Sequence, residues 1–158
     1  MRFPPFSQNL LEMNPTPVAI LGATGMVGQR MVALLSKHPS LQVAAVAASE
    51  RSAGKTYAEA SNWVLEGDAP ADIGSMVVRS CDPSQMPGGV RIALSALDAQ
   101  VAGPIEEAFR AAGWAVVTNA SPHRHDPDVP LIVPEVNPGH LSMLDRQGPG
   151  CIVANPNC

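Results

Sequence analysis

Apolar and polar positions fall along this chain in short alternating blocks. Residues 18–21 form an apolar run that stops at Gly22, the pattern of a buried strand. Over residues 25–35 the period changes. Val27, Met31, Leu34 and Leu35 recur at helical spacing, and Pro39 follows the end. Residues 42–48 predict a second strand, ending at Ser49. Residues 50–72 are polar and give few signals, with Trp63, Val64 and Leu65 predicting a short helical turn. Residues 76–79 and 90–94 predict a third and a fourth strand, the latter ending at Ser95. Residues 101–112 predict a helix with Val101, Ile105, Ala108, Phe109 and Ala112 inward and Gly113 as its stop. Residues 114–117 predict a fifth strand, ending at Thr118 and Asn119, and residues 131–133 and 151–154 are two further apolar runs.

Strands alternating with helices at this spacing imply an α/β fold with a doubly wound, mostly parallel sheet. Ligands of such sheets sit at the carboxyl ends of the strands. The residues with chemical potential fall at those ends: 22–28, 49–55, 95–97, 119–124 and 155–158.

Composition narrows the picture. Charged residues are 15% and hydrophobic residues 46%, a globular balance that excludes a disordered chain. Aromatics are only 4%, so the core is expected to be aliphatic. A net charge of -4 argues against nucleic acid as a partner. Cys81, Cys151 and Cys158 are an odd number without framework spacing, which reads as a reduced, cytoplasmic protein. Pro4, Pro5, Pro15 and Pro17 interrupt the start, which has the run of neither a signal peptide nor a membrane span. Residues 1–15 are expected to be a disordered leader, and residues 16–158 one domain.

The first turn holds Gly22, Thr24, Gly25, Met26, Val27 and Gly28 in a G-x-x-G-x-x-G pattern between a strand and a helix. Glycines let the backbone approach a pyrophosphate, and the helix N-terminus offers that anion free N–H groups. The bland alternative is an ordinary glycine-rich turn. After the second strand, Glu50 can bind the ribose hydroxyls of NAD. Ser49, Arg51 and Ser52 can instead surround a 2'-phosphate, which favours NADP, with NAD tolerated.

Cys158 ends a strand-to-turn segment that includes Asn157. A thiolate there is a nucleophile for an aldehyde or acyl phosphate, and Asn157 can hold the oxyanion or position the substrate. Read from pattern alone, a terminal cysteine is more often incidental. Cys81 and Cys151 read as packing residues. Asn119 and Arg124 follow the fifth strand, and Arg124 is a candidate clamp for a phosphate or carboxylate. His123 and His125 flank it; the bland alternative for this segment is a surface loop with two solvated histidines, neither is chosen as the general base, and their spacing suits a metal poorly.

Five blocks, GATGMVG at 22–28, SERSAGK at 49–55, SALDAQVA at 95–102, NASPHRHDPDVPLIVPEVN at 119–137 and NPNC at 155–158, together resemble the aspartate-semialdehyde dehydrogenases, nearest their archaeal and fungal branch. The resemblance runs from about residue 16 to residue 158. It implies a Rossmann-like domain, Cys158 as nucleophile, Arg124 on the active-site phosphate, and cofactor contacts from residues 22–28, Ser49, Arg51, Ser52, Ser95, Ala96 and Leu97. The family reduces L-aspartyl 4-phosphate to L-aspartate 4-semialdehyde with NADPH, releasing phosphate, and its members are dimers or tetramers. In that family a catalytic domain with the histidine acid/base follows the cysteine, and a C-terminal helix returns to complete the nucleotide domain. The present chain is therefore expected to have negligible activity alone and to expose apolar surface. Two other readings stand beside this one. One is a malonyl-CoA or succinyl-CoA reductase on the same scaffold. The other is a non-catalytic nucleotide-binding fragment.

Overall fold

The computed structural model describes residues 14–156. Most of the expected leader, together with Asn157 and Cys158, lies outside the described residues. Six strands form one parallel sheet: β1 (Thr16–Leu21), β2 (Leu41–Ala48), β3 (Arg79–Ser80), β4 (Ile92–Ser95), β5 (Ala115–Thr118) and β6 (Cys151–Ala154). Their order is β3-β2-β1-β4-β5-β6, the Rossmann arrangement, with its reversal between β1 and β4. The aliphatic runs explain the sheet's place: Val18, Ala19, Ile20 and Leu21 are wholly buried, as a strand covered on both faces must be. Among the described residues no helix is long and apolar enough to cross a membrane.

Helix α1 (Met26–Leu35) packs on one face and α4 (Ala99–Ala111) on the other. The inward stripe of α1 is Gly28, Val32 and Leu35, with Gln29 beside it. Val27 and Leu34, expected inward, point to solvent at 48% and 63% exposure. The glycine turn causes this rotation, because Gly28 must lie against the turn's backbone. In α4 the buried positions are Ala102, Glu106 and Phe109; of the expected inward set Phe109 is buried and Ile105 packs partly buried against the core, while Val101, Ala108 and Ala112 are exposed. Gly113, at φ +82°, ends that helix as its sequence implies.

The polar stretch departs most from expectation. Residues 63–65 are not helical, and two four-residue helices flank them, α2 (Tyr57–Ala60) and α3 (Ala71–Gly74). Thr56 and Glu59 form a capping box that starts α2. Side-chain bonds hold the intervening loop instead: Val64 N–H donates to Gln29 Oε1 at 2.9 Å. The third strand begins later than its apolar run. Lys55 and Tyr57 engage the backbone of Val78 and Met76, so only Arg79 and Ser80 remain to pair with β2. Residues 131–133 contribute one bridge, Leu131 to Ala154, and Pro138–Arg146 is a 3-10 helix that the sequence did not announce.

The sheet's two faces are unequally covered. On the α4 side, Ala93, Val116 and Ile152 are buried. On the α1 side, the in-register rows Ile92–Ala115–Cys151 and Leu94–Val117–Val153 stay partly open, and Val117 is 39% exposed although its strand is central. Helix α1 packs chiefly on β1 and β2.

Candidate functional site

The glycine turn is built by exclusion. Gly22 sits at φ +75°, and a Cβ there would come within 2.7 Å of Ala96 O. A Cβ on Gly28 would come within 2.2 Å of Gly22 O. Any side chain at either position would force the first strand, the turn and β4 apart. Two supports from outside the motif fix the turn's carbonyls. Tyr57 Oη donates to Ala23 O at 2.9 Å, and Gln29 Nε2 donates to Thr24 O at 3.0 Å. Burial pushes the Tyr57 phenol up to about 12, so it stays a donor across the working range. With Gly25 at the N-cap, no side chain bonds the first turn of α1, and its N–H groups remain free to meet an anion.

A cleft of about 640 Å³ opens at this point, at the reversal of the strand order. Gly22, Thr24 and Gly25 form one wall, Ala96 and Leu97 another, and Ser49 reaches it from the end of β2. These are the residues that the sequence singled out. Met26 and Val27 lie exposed on the first turn of α1, outside the lining. Arg51 is exposed and Ser52 half-buried in a tight turn, where Ser52 N–H donates to Ser49 O at 2.8 Å, again outside the lining. Ser95 is at the right strand end, but its hydroxyl is wholly buried and turned towards α4.

Cys81 and Asp82 also line the cleft and were not singled out by the sequence as site residues. Their signal was weak, since β3 is only two residues long and its end is hard to read. Burial pushes the Cys81 thiol up, with Glu50 adding to the effect, and its Sγ donates to Ala48 O at 3.6 Å.

A second cluster lies at the ends of β5 and β6. Arg124 Nη2 donates to Asn119 O at 2.7 Å, and Nε donates to Asn155 O at 3.1 Å. The Asn155 amide also bonds the Asn119 side chain. Among the described residues no carboxylate pairs with Arg124, so two carbonyls orient a guanidinium whose charge is left for another anion. Asn155 is two residues from Asn157 and three from Cys158, which lie outside the described residues.

Beneath both clusters is Glu106, fully buried on the inner stripe of α4. Ser95 Oγ and Thr118 Oγ1 both donate to its Oε1, at 2.5 and 2.6 Å. A sequence signal for it existed: a carboxylate three residues before Phe109 and four after Ala102 stands on the apolar face of an amphipathic helix.

Comparison with known proteins identifies the family. Aspartate-semialdehyde dehydrogenase of Methanothermobacter thermautotrophicus is 49% identical over 146 residues, covering 89% of this chain and 42% of the relative. A protein named malonyl CoA reductase (NADP) from Metallosphaera sedula is 40% identical over 145 residues, covering 89% of this chain and 40% of the relative. The crystal structure of aspartate semialdehyde dehydrogenase with NADP from Candida albicans superposes with a TM-score of 0.82 at 42% identity, covering 89% of this chain and 42% of that one. The chain thus spans about two fifths of the length of the relatives it matches. Residues 17–144 match the semialdehyde dehydrogenase, NAD binding domain, and the chain belongs to that family.

Proposed function

We propose that this chain is the nucleotide-binding part of an NADP-dependent aspartate-semialdehyde dehydrogenase, which converts L-aspartyl 4-phosphate to L-aspartate 4-semialdehyde and phosphate. The observation that carries the reading is the cleft at the strand reversal, walled by a turn that admits only glycine at Gly22 and Gly28. The free N–H groups of α1 suit a pyrophosphate there, and Ala96 and Leu97 line the opposite side. When bound, the cofactor supplies a hydride.

The chain's own residues supply the nucleophile and the anion clamp. The Cys158 thiolate attacks the acyl carbon, the bond to the phosphate oxygen breaks, and a thioester forms as phosphate leaves with the electron pair. Arg124, held by Asn119 and Asn155, neutralises that phosphate. Asn157 positions the substrate carbonyl. After reduction of the thioester carbon, the C–S bond breaks, the aldehyde departs and the thiolate is restored. On this reading residues 16–158 are one nucleotide domain of a cytoplasmic, dimeric or tetrameric enzyme, and a further domain provides the acid/base. Acid/base help of this kind contributes about 10²–10⁴-fold to the rate.

Calorimetric titration with NADPH and NADH, on the native chain and on Arg51→Ala, tests the cofactor assignment. Loss of one charged contact to a 2'-phosphate corresponds to about 1.5–3 kcal/mol, or roughly 10–100-fold weaker NADPH binding. NADH affinity is expected to be unchanged. Equal NADPH affinity in the variant would remove Arg51 from the site. Identity to the Metallosphaera sedula protein favours a second reading, a reductase of CoA thioesters. Intact-mass analysis of Cys158 acylation by acetyl phosphate and by malonyl-CoA separates the two.

A further inference from the structure

We propose that the buried Glu106 carboxylate is the positioning residue for the Arg124 loop, acting through His123. The proposal rests on the reading of Arg124 as the anion clamp, and it concerns what fixes that clamp in place.

Glu106 is reached from α4, yet its partners belong to three other segments. Its Oε1 accepts the Ser95 hydroxyl from the end of β4 and the Thr118 hydroxyl from the end of β5. The distances, 2.5 and 2.6 Å, are those of hydroxyl-to-carboxylate bonds. Thr118 Oγ1 in turn accepts the N–H of Ala120 at 2.9 Å, so one oxygen of Glu106 anchors the chain's exit from β5. The other oxygen, Oε2, is buried without a hydrogen-bond partner, and His123 Nε2, also buried and unpartnered, lies 3.5 Å from it. His123 is the residue before Arg124, in the 3-10 turn Pro122–His125. Its Nδ1 meets Asp126 Oδ2 at 2.7 Å, so the ring is spanned by two carboxylates.

A buried carboxylate is costly unless it is paired. The one ring that faces its unoccupied oxygen therefore has a strong reason to stay. Keeping His123 there fixes the turn, and the turn fixes the direction from which Arg124 reaches Asn119 O and Asn155 O. Nothing in the proposed chemistry requires Glu106 to touch substrate or cofactor.

The test is a double-mutant cycle on the intact chain with Glu106→Gln, His123→Asn and the pair together. Glutamine can keep its one oxygen for the two hydroxyls but then turns an uncharged NH2 group to His123. The readout is the Arg124 Nε–H resonance in ¹H–¹⁵N NMR, assigned by its loss in Arg124→Lys, with its hydrogen exchange and its response to inorganic phosphate. Each single variant is expected to exchange Arg124 Nε–H about tenfold faster or more, the double variant no faster than the singles, with β1 amides as protected as before. A merely structural role for Glu106 would instead lower protection across the domain. Wild-type exchange at Arg124 in either folded variant overturns the proposal, and His123→Asn alone decides it if Glu106→Gln does not fold. Faster exchange in the variants, with no response of the native Arg124 to phosphate, supports the positioning role and removes the phosphate assignment of the clamp.

Discussion

Gly28→Ala is the sharpest perturbation of the glycine turn. The added methyl carbon would stand 2.2 Å from Gly22 O, 2.6 Å from Ala23 Cα and 2.8 Å from Ala23 C. All three are backbone atoms, so no flexible side chain can yield, and α1 must move off the turn. Overpacking of this kind costs typically about 1–3 kcal/mol, and the absence of any yielding atom places it near the top of that range. Alanine returns about 1 kcal/mol of helix propensity relative to glycine. The net is about 2 kcal/mol, and at ~2–4 °C per kcal/mol for a domain of this size the melting temperature should fall by ~4–8 °C. Gly25→Ala is the internal control. Its nearest atom is Gly22 O at 3.5 Å, an ordinary contact, and its N-cap φ is -74°. Its loss should stay within ~1 kcal/mol, or ~2–4 °C. Thermal unfolding followed by circular dichroism at 222 nm measures both. A Gly28→Ala protein melting within ~1 °C of the native chain, or below it by no more than Gly25→Ala, would refute the argument from close approach.

Three further outcomes are expected. Tyr57→Phe strands the buried Ala23 carbonyl and should lower stability by about 1–3 kcal/mol in urea unfolding, without changing the slope. The Glu59 carboxyl is held below its usual 4.5, chiefly by the Thr56 hydroxyl and then by the Thr56 backbone N–H. Its contribution is therefore complete above that usual value and lost as pH falls through the lower folded one, and Thr56→Ala should flatten the acid limb of a pH–stability curve there. Burial raises the Cys81 thiol, so it should react with iodoacetamide more slowly than a free thiol at pH 7.5, and NADPH should slow it further. Reaction of Cys81 at an unchanged rate under saturating NADPH would place the nucleotide elsewhere.

Much of the fold was legible because parallel strands covered on both faces read as unbroken aliphatic runs. Residues 18–21, 42–48 and 151–154 appear in the structure within a few residues of their sequence bounds. The glycine turn was legible for the same reason that it is rigid, since its spacing leaves no other residue type room at Gly22 and Gly28. What was hidden depended on partners far along the chain. The third strand shrank because Lys55 and Tyr57 engage Val78 and Met76. The loop at residues 62–64 is set by Gln29, more than thirty residues earlier. The inward faces of α1 and α4 were placed only in part, with Leu35 and Phe109 inward as expected, because spacing gives a period but not a phase. In α1 the phase is set by the approach of Gly28 to the turn, and in α4 by the two hydroxyls that meet Glu106. Arg51 and Ser52 were picked as cleft residues from their chemistry, and the structure places both outside the lining.

The placing of α1 and α4 on opposite faces of the sheet has a consequence for how the chain is made. The core under α1 draws its buried residues from positions 18 to 78, all in the first half of the chain. The core under α4 needs residues from 19 to 154, closing only when Ile152 and Ala154 join Phe109 and Trp114. As the polypeptide leaves the ribosome, one side of β1 and β2 can therefore dock early, while the other stays wet until Ile152 and Ala154 have emerged. During that interval the apolar underside of the half-built sheet is exposed to chaperones and to other nascent chains. Synonymous changes that alter the translation rate between residues 79 and 150 should then change the yield of soluble protein more than the same changes placed before residue 40.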